Sequence, residues 1–356
     1  MTQSNIIALN VHNQRQSLPM RLALHAELFA NQRRSEDDVF WLKENAEFLN
    51  IVEATGLRDD SILDVYAPVY ASVDRRLGDY PQYYRFLLSI CLDLEDLGMP
   101  GSKGAALCEW VQKQGLVEAE LSDLQRAEAD RLLARRGVAR PADDVRDRLL
   151  RFIGRAPTFA IPNKKAAYEL THIVFYLSEY GRRDPQLPES AILSLHYAGL
   201  QAYLDQNFDL LAEICIALRY AGHAPCEIWE TAVSAAVGAA QAAKPSMRPD
   251  DYHAYLVSTW MTTLRDKIPM GLRLQPIHNR IEMPQPHARP LRDLSFFLQE
   301  TRRSDWMSVR SDFMRRLDAD ATDIVEAAER SSPEFAAFFE LFARAQAPCE
   351  VVLQAV

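Results

Sequence analysis

Residues 165–181, KAAYELTHIVFYLSEYG, constrain the fold more than any other stretch. At the helical step of 100° per residue, Leu170, Ile173, Val174 and Leu177 form one aliphatic face. Tyr168, His172, Phe175 and Glu179 form the opposite face, flanked by Glu169 and Tyr176. A surface helix turns one apolar stripe to the core and a charged face to water. Here the second face mixes aromatics with an imidazole and carboxylates. Such a helix belongs at the centre of a helical assembly, with its far side lining a polar cavity.

The rest of the chain is helical in the same sense. The period near 3.6 predicts helices from Pro19 to about 31, after Ser35 through VFWLKENAEFLNIVEATG, and over QYYRFLLSICLDLEDLG. Ser35 reads as a cap followed by acids in a first turn, and 57–78 as one or two short helices around Pro68. Further helices are predicted at about 106–115, 122–136, 143–154, 164–180, 189–204, 207–221, 225–243 and 250–266, then 291–302, 304–317, 320–330 and 333–346. No segment alternates apolar and polar residues as a half-buried strand does. The expected class is all-α: stacked antiparallel helical hairpins in a closed ring or bundle, with no significant sheet and no repeat consensus.

Two proline-bearing stretches interrupt the pattern. RAPTFAIPN at 155–163 divides the chain into subdomains at 18–154 and 164–346, or marks the midpoint of one continuous domain. Residues 268–290 contain five prolines and read as a long loop, of the kind that serves as a lid.

SEDDVFWLKENAEFLN, PQYYRFLLSICLDLEDLGM and ELTHIVFYLSEYGRRD resemble a family of bacterial all-helical proteins defined only as a domain of unknown function. The likeness covers most of the chain. It implies bacterial origin and helical architecture, and carries over no activity and no site residues.

With 356 residues the chain can bury a large core without disulfides or metal. Its net charge of −9 argues against non-specific nucleic-acid binding, which needs a positive surface. The five scattered cysteines form no CxxC pair and read as reduced thiols. The first residues lack the pattern of a signal peptide, and no apolar run reaches membrane-spanning length. The expectation is a cytoplasmic protein that contacts no membrane.

One constellation carries chemistry: Glu169, His172, Asp209, Glu213 and His253. Glu169-x-x-His172 places a carboxylate and an imidazole one turn apart, as in carboxylate-bridged metal bundles. Asp209 and Glu213 are spaced i, i+4 on a helix that is apolar around much of its circumference, and His253 continues the apolar stripe of Val257, Trp260 and Leu264. These five are the expected ligands of a divalent metal (Fe, Mn or Zn). With Tyr168 and Glu179 they line the expected pocket. The plain alternative is a core histidine and solvated carboxylates.

Weaker signals have plainer readings. Asp59, Asp60 and Asp64 could hold Mg²⁺ for a diphosphate, but they follow Gly56 as the acids of a helix start do. MPGSKG lacks phosphate-loop spacing. Residues 126–155 carry nine arginines against five acids, and Arg302, Arg303, Arg310, Arg315 and Arg316 form a second group. Either group could receive an acidic partner, or pair internally. Cys215 reads as a core residue and Cys226 as part of a helix start. The functional expectation is a helical binding module for a small molecule or protein, with its pocket around His172. The alternative is a metal-dependent enzyme. The two differ in whether at least three of the five metal-site residues converge on one point.

Overall fold

The computed structural model describes residues 16–138, 143–244, 250–267, 271–272, 274, 278–301 and 303–345. Seventeen α-helices form among them. The first eight are α1 (Leu18–Glu27), α2 (Val39–Ala54), α3 (Asp60–Asp79), α4 (Tyr84–Leu97), α5 (Lys103–Lys113), α6 (Asp123–Ala134), α7 (Asp143–Ile153) and α8 (Ala156–Phe159). They are followed by α9 (Lys164–Leu177), α10 (Glu189–Leu204), α11 (Phe208–Tyr220), α12 (Glu227–Gly238) and α13 (Tyr252–Asp266). The last four are α14 (Pro290–Thr301), α15 (Trp306–Met314), α16 (Ala319–Ser331) and α17 (Phe335–Ala345). The one sheet among the described residues is a two-stranded antiparallel pair, β1 (Gln241–Ala243) with β2 (Arg280–Glu282), in register Ala242 to Ile281. The fold is all-α. No described helix is long and apolar enough to cross a membrane.

Several boundaries differ from the sequence reading for local reasons. Asp38, not Ser35, caps α2, its carboxylate accepting from the Phe40 N–H at 2.8 Å. Pro68 does not break α3: it lies on the exposed side, where water can satisfy the carbonyl its ring leaves unpaired. Asp59 caps α3 by accepting from Ser61 N–H, so the acids at 59–64 mark a helix start. Helix α12 stops at Gly238, and the chain then enters β1 rather than staying helical to 243. Residues 156–159 form the short helix α8 against α10, with Phe159 buried. Buried apolar side chains from Leu22 to Phe342 form one connected core that runs across this segment.

Contacts link helices two apart in the chain as well as consecutive ones. The most extensive join α11 to α13 and α2 to α4. Helix α13 also packs on α2, which brings the beginning and the middle of the chain together. A buried ion cluster fixes this junction. Arg33 Nε donates to Glu44 of α2 at 2.8 Å, and Nη1 donates to Asp250, just before α13, at 2.7 Å. The Arg33 and Glu44 side chains are 2% and 1% exposed. The guanidinium also packs over the rings of Phe29 and Tyr252. Arg34 gives Glu44 a second partner. Asp250 and Asp251 accept from the Ile281 and Met283 N–H groups, so β2 is tied to the start of α13.

The two arginine groups are largely consumed by internal pairs rather than presented to a partner. Arg135 and Arg136 bond to Asp93, Glu95 and Asp96, Arg148 to Asp123 and Asp144, and Arg310 to Glu329. Arg315 and Arg303 pair with Asp312, and Arg316 with Glu300. Arg302 and Arg140 lie outside the described residues. In MPGSKG the N–H of Gly104 is taken by the Glu95 carboxylate at 2.8 Å, and a Cβ there would lie 2.6 Å from that side chain. The loop holds its own anion.

Arg33→Met leaves Glu44 and Asp250 short of a cation and should cost about 3–5 kcal/mol in urea unfolding; a loss under about 1 kcal/mol would show that the cluster does not hold α2 to α13. His25 is fully buried between the Arg21 carbonyl and the Tyr255 hydroxyl. Burial lowers its pKa from 6.5 to about 4. The unfolded chain therefore takes up a proton that the folded chain refuses between those values. This contribution is fully present above pH 6.5 and is lost as pH falls toward 4, by about 3 kcal/mol. His25→Gln should flatten that part of a stability–pH curve; an unchanged slope would contradict it.

Candidate functional site

Six helices, α2, α4, α6, α9, α11 and α13, enclose a cavity of about 180 Å³. Its lining includes Glu47, Arg131, His172, Glu213, His253 and Trp260. The face of α13 that reads as a plain apolar stripe in sequence is thus a cavity wall. Helix α11 is buried continuously from Leu210 to Leu218, so Glu213, with its side chain 1% exposed, is carried into the interior by its neighbours.

The polar cluster is built around His253. Its Nδ1 lies 2.8 Å from Asp209 Oδ1. A carboxylate accepts only, so Nδ1 carries the proton and Nε2 is directed elsewhere. Nε2 is 3.7 Å from Glu213 Oε1 and 3.8 Å from Glu47 Oε1. The Thr171 hydroxyl donates to Glu213 Oε2 at 2.5 Å, and the Tyr168 hydroxyl donates to Asp209 Oδ2 at 3.2 Å. Glu47 Oε2 is buried with no hydrogen-bond partner. His172 Nδ1 donates to the Tyr168 carbonyl at 2.7 Å and stands 3.8 Å from Glu213 Oε2. Asp209, Glu213 and His253 each offer one ligand atom, all within 4.8 Å of one another. Ligand atoms around one ion at about 2.0–2.6 Å are separated by at most about 4–5 Å.

The electrostatics couple these groups. Burial raises the pKa of Glu213 against the pull of His172, His253 and Thr171. Burial likewise raises that of Glu47 against His253 and Lys43. For His253, burial opposes the charged form, but the Asp209 hydrogen bond and the charges of Glu47, Asp209 and Glu213 outweigh it and lift the pKa to about 10. Without a metal, this is an imidazolium held among carboxylates.

The residues expected from sequence separate into two groups. Asp209, Glu213 and His253 converge, Tyr168 supports Asp209, and His172 lines the cavity beside Glu213. Glu169 does not join them: it is partly exposed and lies 3.9 Å from Lys165. Three residues along a helix is 300° of rotation, which leaves Glu169 about 60° from His172 and on the solvent side. Glu179 is not on the α9 face either, because the helix ends at Leu177. Glu179 and Tyr180 take left-handed backbone angles, φ 50° and 54°, followed by Gly181 at 83°. This turn points Glu179 to Arg131 and Arg183 and stacks Tyr180 on Trp260, with centroids 5.7 Å apart. A Cβ at Gly181 would lie 2.4 Å from the Tyr220 ring, which in turn accepts the Trp260 N–H through its hydroxyl. Among the described residues of 268–290 none lines the cavity; residues 268–270, 273 and 275–277 lie outside them.

Glu47, Asn50 and Arg131 are cavity residues that the sequence reading passed over. A signal existed for α2: KENAEFLN places Glu44, Asn45 and Asn50 in buried positions among Ala46, Phe48 and Leu49. Nothing in the sequence separates Arg131 from Arg126, Arg135 and Arg136.

The chain belongs to the family described as Domain of unknown function (DUF6902), which matches residues 3–345. No curated protein and no solved structure matches it.

In metal-free protein the raised pKa predicts that His253 stays doubly protonated well above neutrality. Imidazole ¹⁵N shifts should show no titration of His253 between pH 6 and 8, and deprotonation only as pH rises toward about 10. The associated stability is fully present below the unfolded value of about 6.5 and lost as pH climbs through the folded value. A midpoint near 6.5 would contradict the coupling.

Proposed function

We propose that this protein is a metal-dependent small-molecule-binding protein, with a divalent ion at Asp209, Glu213 and His253 and the adjoining cavity as the chamber for its ligand. The observation that carries this reading is the convergence of three ligand atoms, from two helices, within 4.8 Å. The second layer supports the reading: the Thr171 and Tyr168 hydroxyls hold the outer oxygens of Glu213 and Asp209, as partners of metal ligands do. One nitrogen and two carboxylate oxygens suit iron, manganese or zinc. Binding replaces the Nδ1 proton that His253 now gives to Asp209, the ion standing between the two. In an enzyme of this design Glu47, with one oxygen free of hydrogen bonds, is the proton acceptor beside the metal.

The test is elemental analysis of protein purified without chelator or polyhistidine tag, beside Glu213→Gln and His253→Gln. The expected result is one iron, manganese or zinc per chain, lost in both variants. Folded wild-type protein that retains no ion after exposure to Fe(II), Mn(II) and Zn(II) would overturn the metal reading.

A further inference from the structure

The cavity has a second polar feature, on α6. Arg131 is 2% exposed and lines the same cavity. Its guanidinium stacks over the rings of Tyr180 and Tyr176, 4.7 and 5.6 Å from their centroids. The carboxylate paired with it, that of Glu179, is 4.0 Å away and is shared with Arg183 at 3.5 Å. That is beyond hydrogen-bond distance, and Nε and Nη1 of Arg131 make no hydrogen bond. Its neighbours in sequence differ: Arg135 bonds to Asp93 and Asp96 at 2.7 Å, and Arg136 to Glu95 and Asp96 at 3.0 Å. A buried guanidinium without hydrogen-bonded compensation is costly. Asn50, also buried and lining the cavity, has an Nδ2 donor with no partner. The strained Glu179–Tyr180 turn is what holds one ring under Arg131.

Phe86, Phe175, Tyr180 and Trp260 supply flat apolar walls. The volume, about 180 Å³, exceeds the ~150 Å³ cavity that accepts benzene. We propose that the cavity binds a small aromatic carboxylate, its ring against these walls and its carboxylate on Arg131 with the Asn50 amide as a second donor. A cationic ligand fits less well, because the tyrosine faces already carry Arg131. A phosphate dianion would bring one charge more than a single guanidinium can offset, toward a cluster that contains Glu47 and Glu213. The inference rests on the cavity being the ligand chamber, and not on the metal.

The test is calorimetric titration of the full chain with benzoate and indole-3-acetate against benzamide and benzylamine. The carboxylates should bind, and benzamide at least ~10-fold more weakly, since a charge-assisted hydrogen bond is lost. Benzylamine should show no binding. Arg131→Gln should erase the difference between benzoate and benzamide, while EDTA should leave benzoate binding in place. Benzamide or benzylamine binding as tightly as benzoate, or no binding by any of the four, overturns the proposal; that panel decides the matter even if Arg131→Gln fails to fold. Benzoate binding that requires added zinc and survives Arg131→Gln also overturns it, by placing the anion on the metal, and leaves the metal reading standing.

Discussion

The arrangement depends on one buried cation. Arg33 stands between Glu44 on α2 and Asp250 at the entrance to α13, within hydrogen-bond distance of both. Burying Arg33 and Glu44 is favourable only when each is matched and hydrogen-bonded, so the cluster tolerates little displacement. Its consequence is positional. Glu47 lies about one turn beyond Glu44 on α2, and His253 about one turn beyond Asp250 toward α13, which brings these two side chains to 3.8 Å. The β-ribbon adds to this, since its second strand bonds to Asp250 and Asp251 rather than covering the cavity.

Helix α11 supplies the other half of the site. It is buried from Leu210 to Leu218, so Glu213 finds its partners inside, while Asp209, its side chain 25% exposed, sits at the edge of the core. Asp209 takes the His253 Nδ1 proton and the Tyr168 hydroxyl; Glu213 takes the Thr171 hydroxyl and faces Nε2. A cluster with more carboxylates than bases, all partly or wholly withdrawn from solvent, is stabilised by a proton or by a metal ion. Across the cavity Arg131 presents the opposite imbalance, a cation on aromatic faces with no hydrogen-bonded anion at Nε or Nη1. Both imbalances line one chamber, together with Phe86, Phe175, Tyr180 and Trp260.

Much of this was legible in the sequence where the signal is local. Helical periodicity predicted the class, and the apolar surroundings of Asp209, Glu213 and His253 along their helices pointed to interior positions. Signals that depend on a register or a cap were less secure. Projecting α9 as a helix to Gly181 put Glu179 on the wrong surface, because the left-handed turn at Glu179 and Tyr180 leaves no mark on periodicity. The Glu169-x-x-His172 spacing looks like a ligand pair, but 60° of rotation at the edge of a buried face is enough to place one residue in the cavity wall and leave the other outside it. Pro68 looks like a break because sequence does not reveal which side of a helix is solvated. Glu47 and Arg131 become site residues only through the packing of α2 and α6 around α9 and α13, which is long-range information.

The most direct test of the central claim is anomalous diffraction from crystals grown with Zn(II), recorded above and below the zinc edge. The account predicts a peak about 2.0–2.2 Å from carboxylate and imidazole atoms of Glu213 and His253. Zinc found only at surface side chains, with nothing within about 3 Å of either residue, would contradict it and leave the cluster as a proton-holding element of the core.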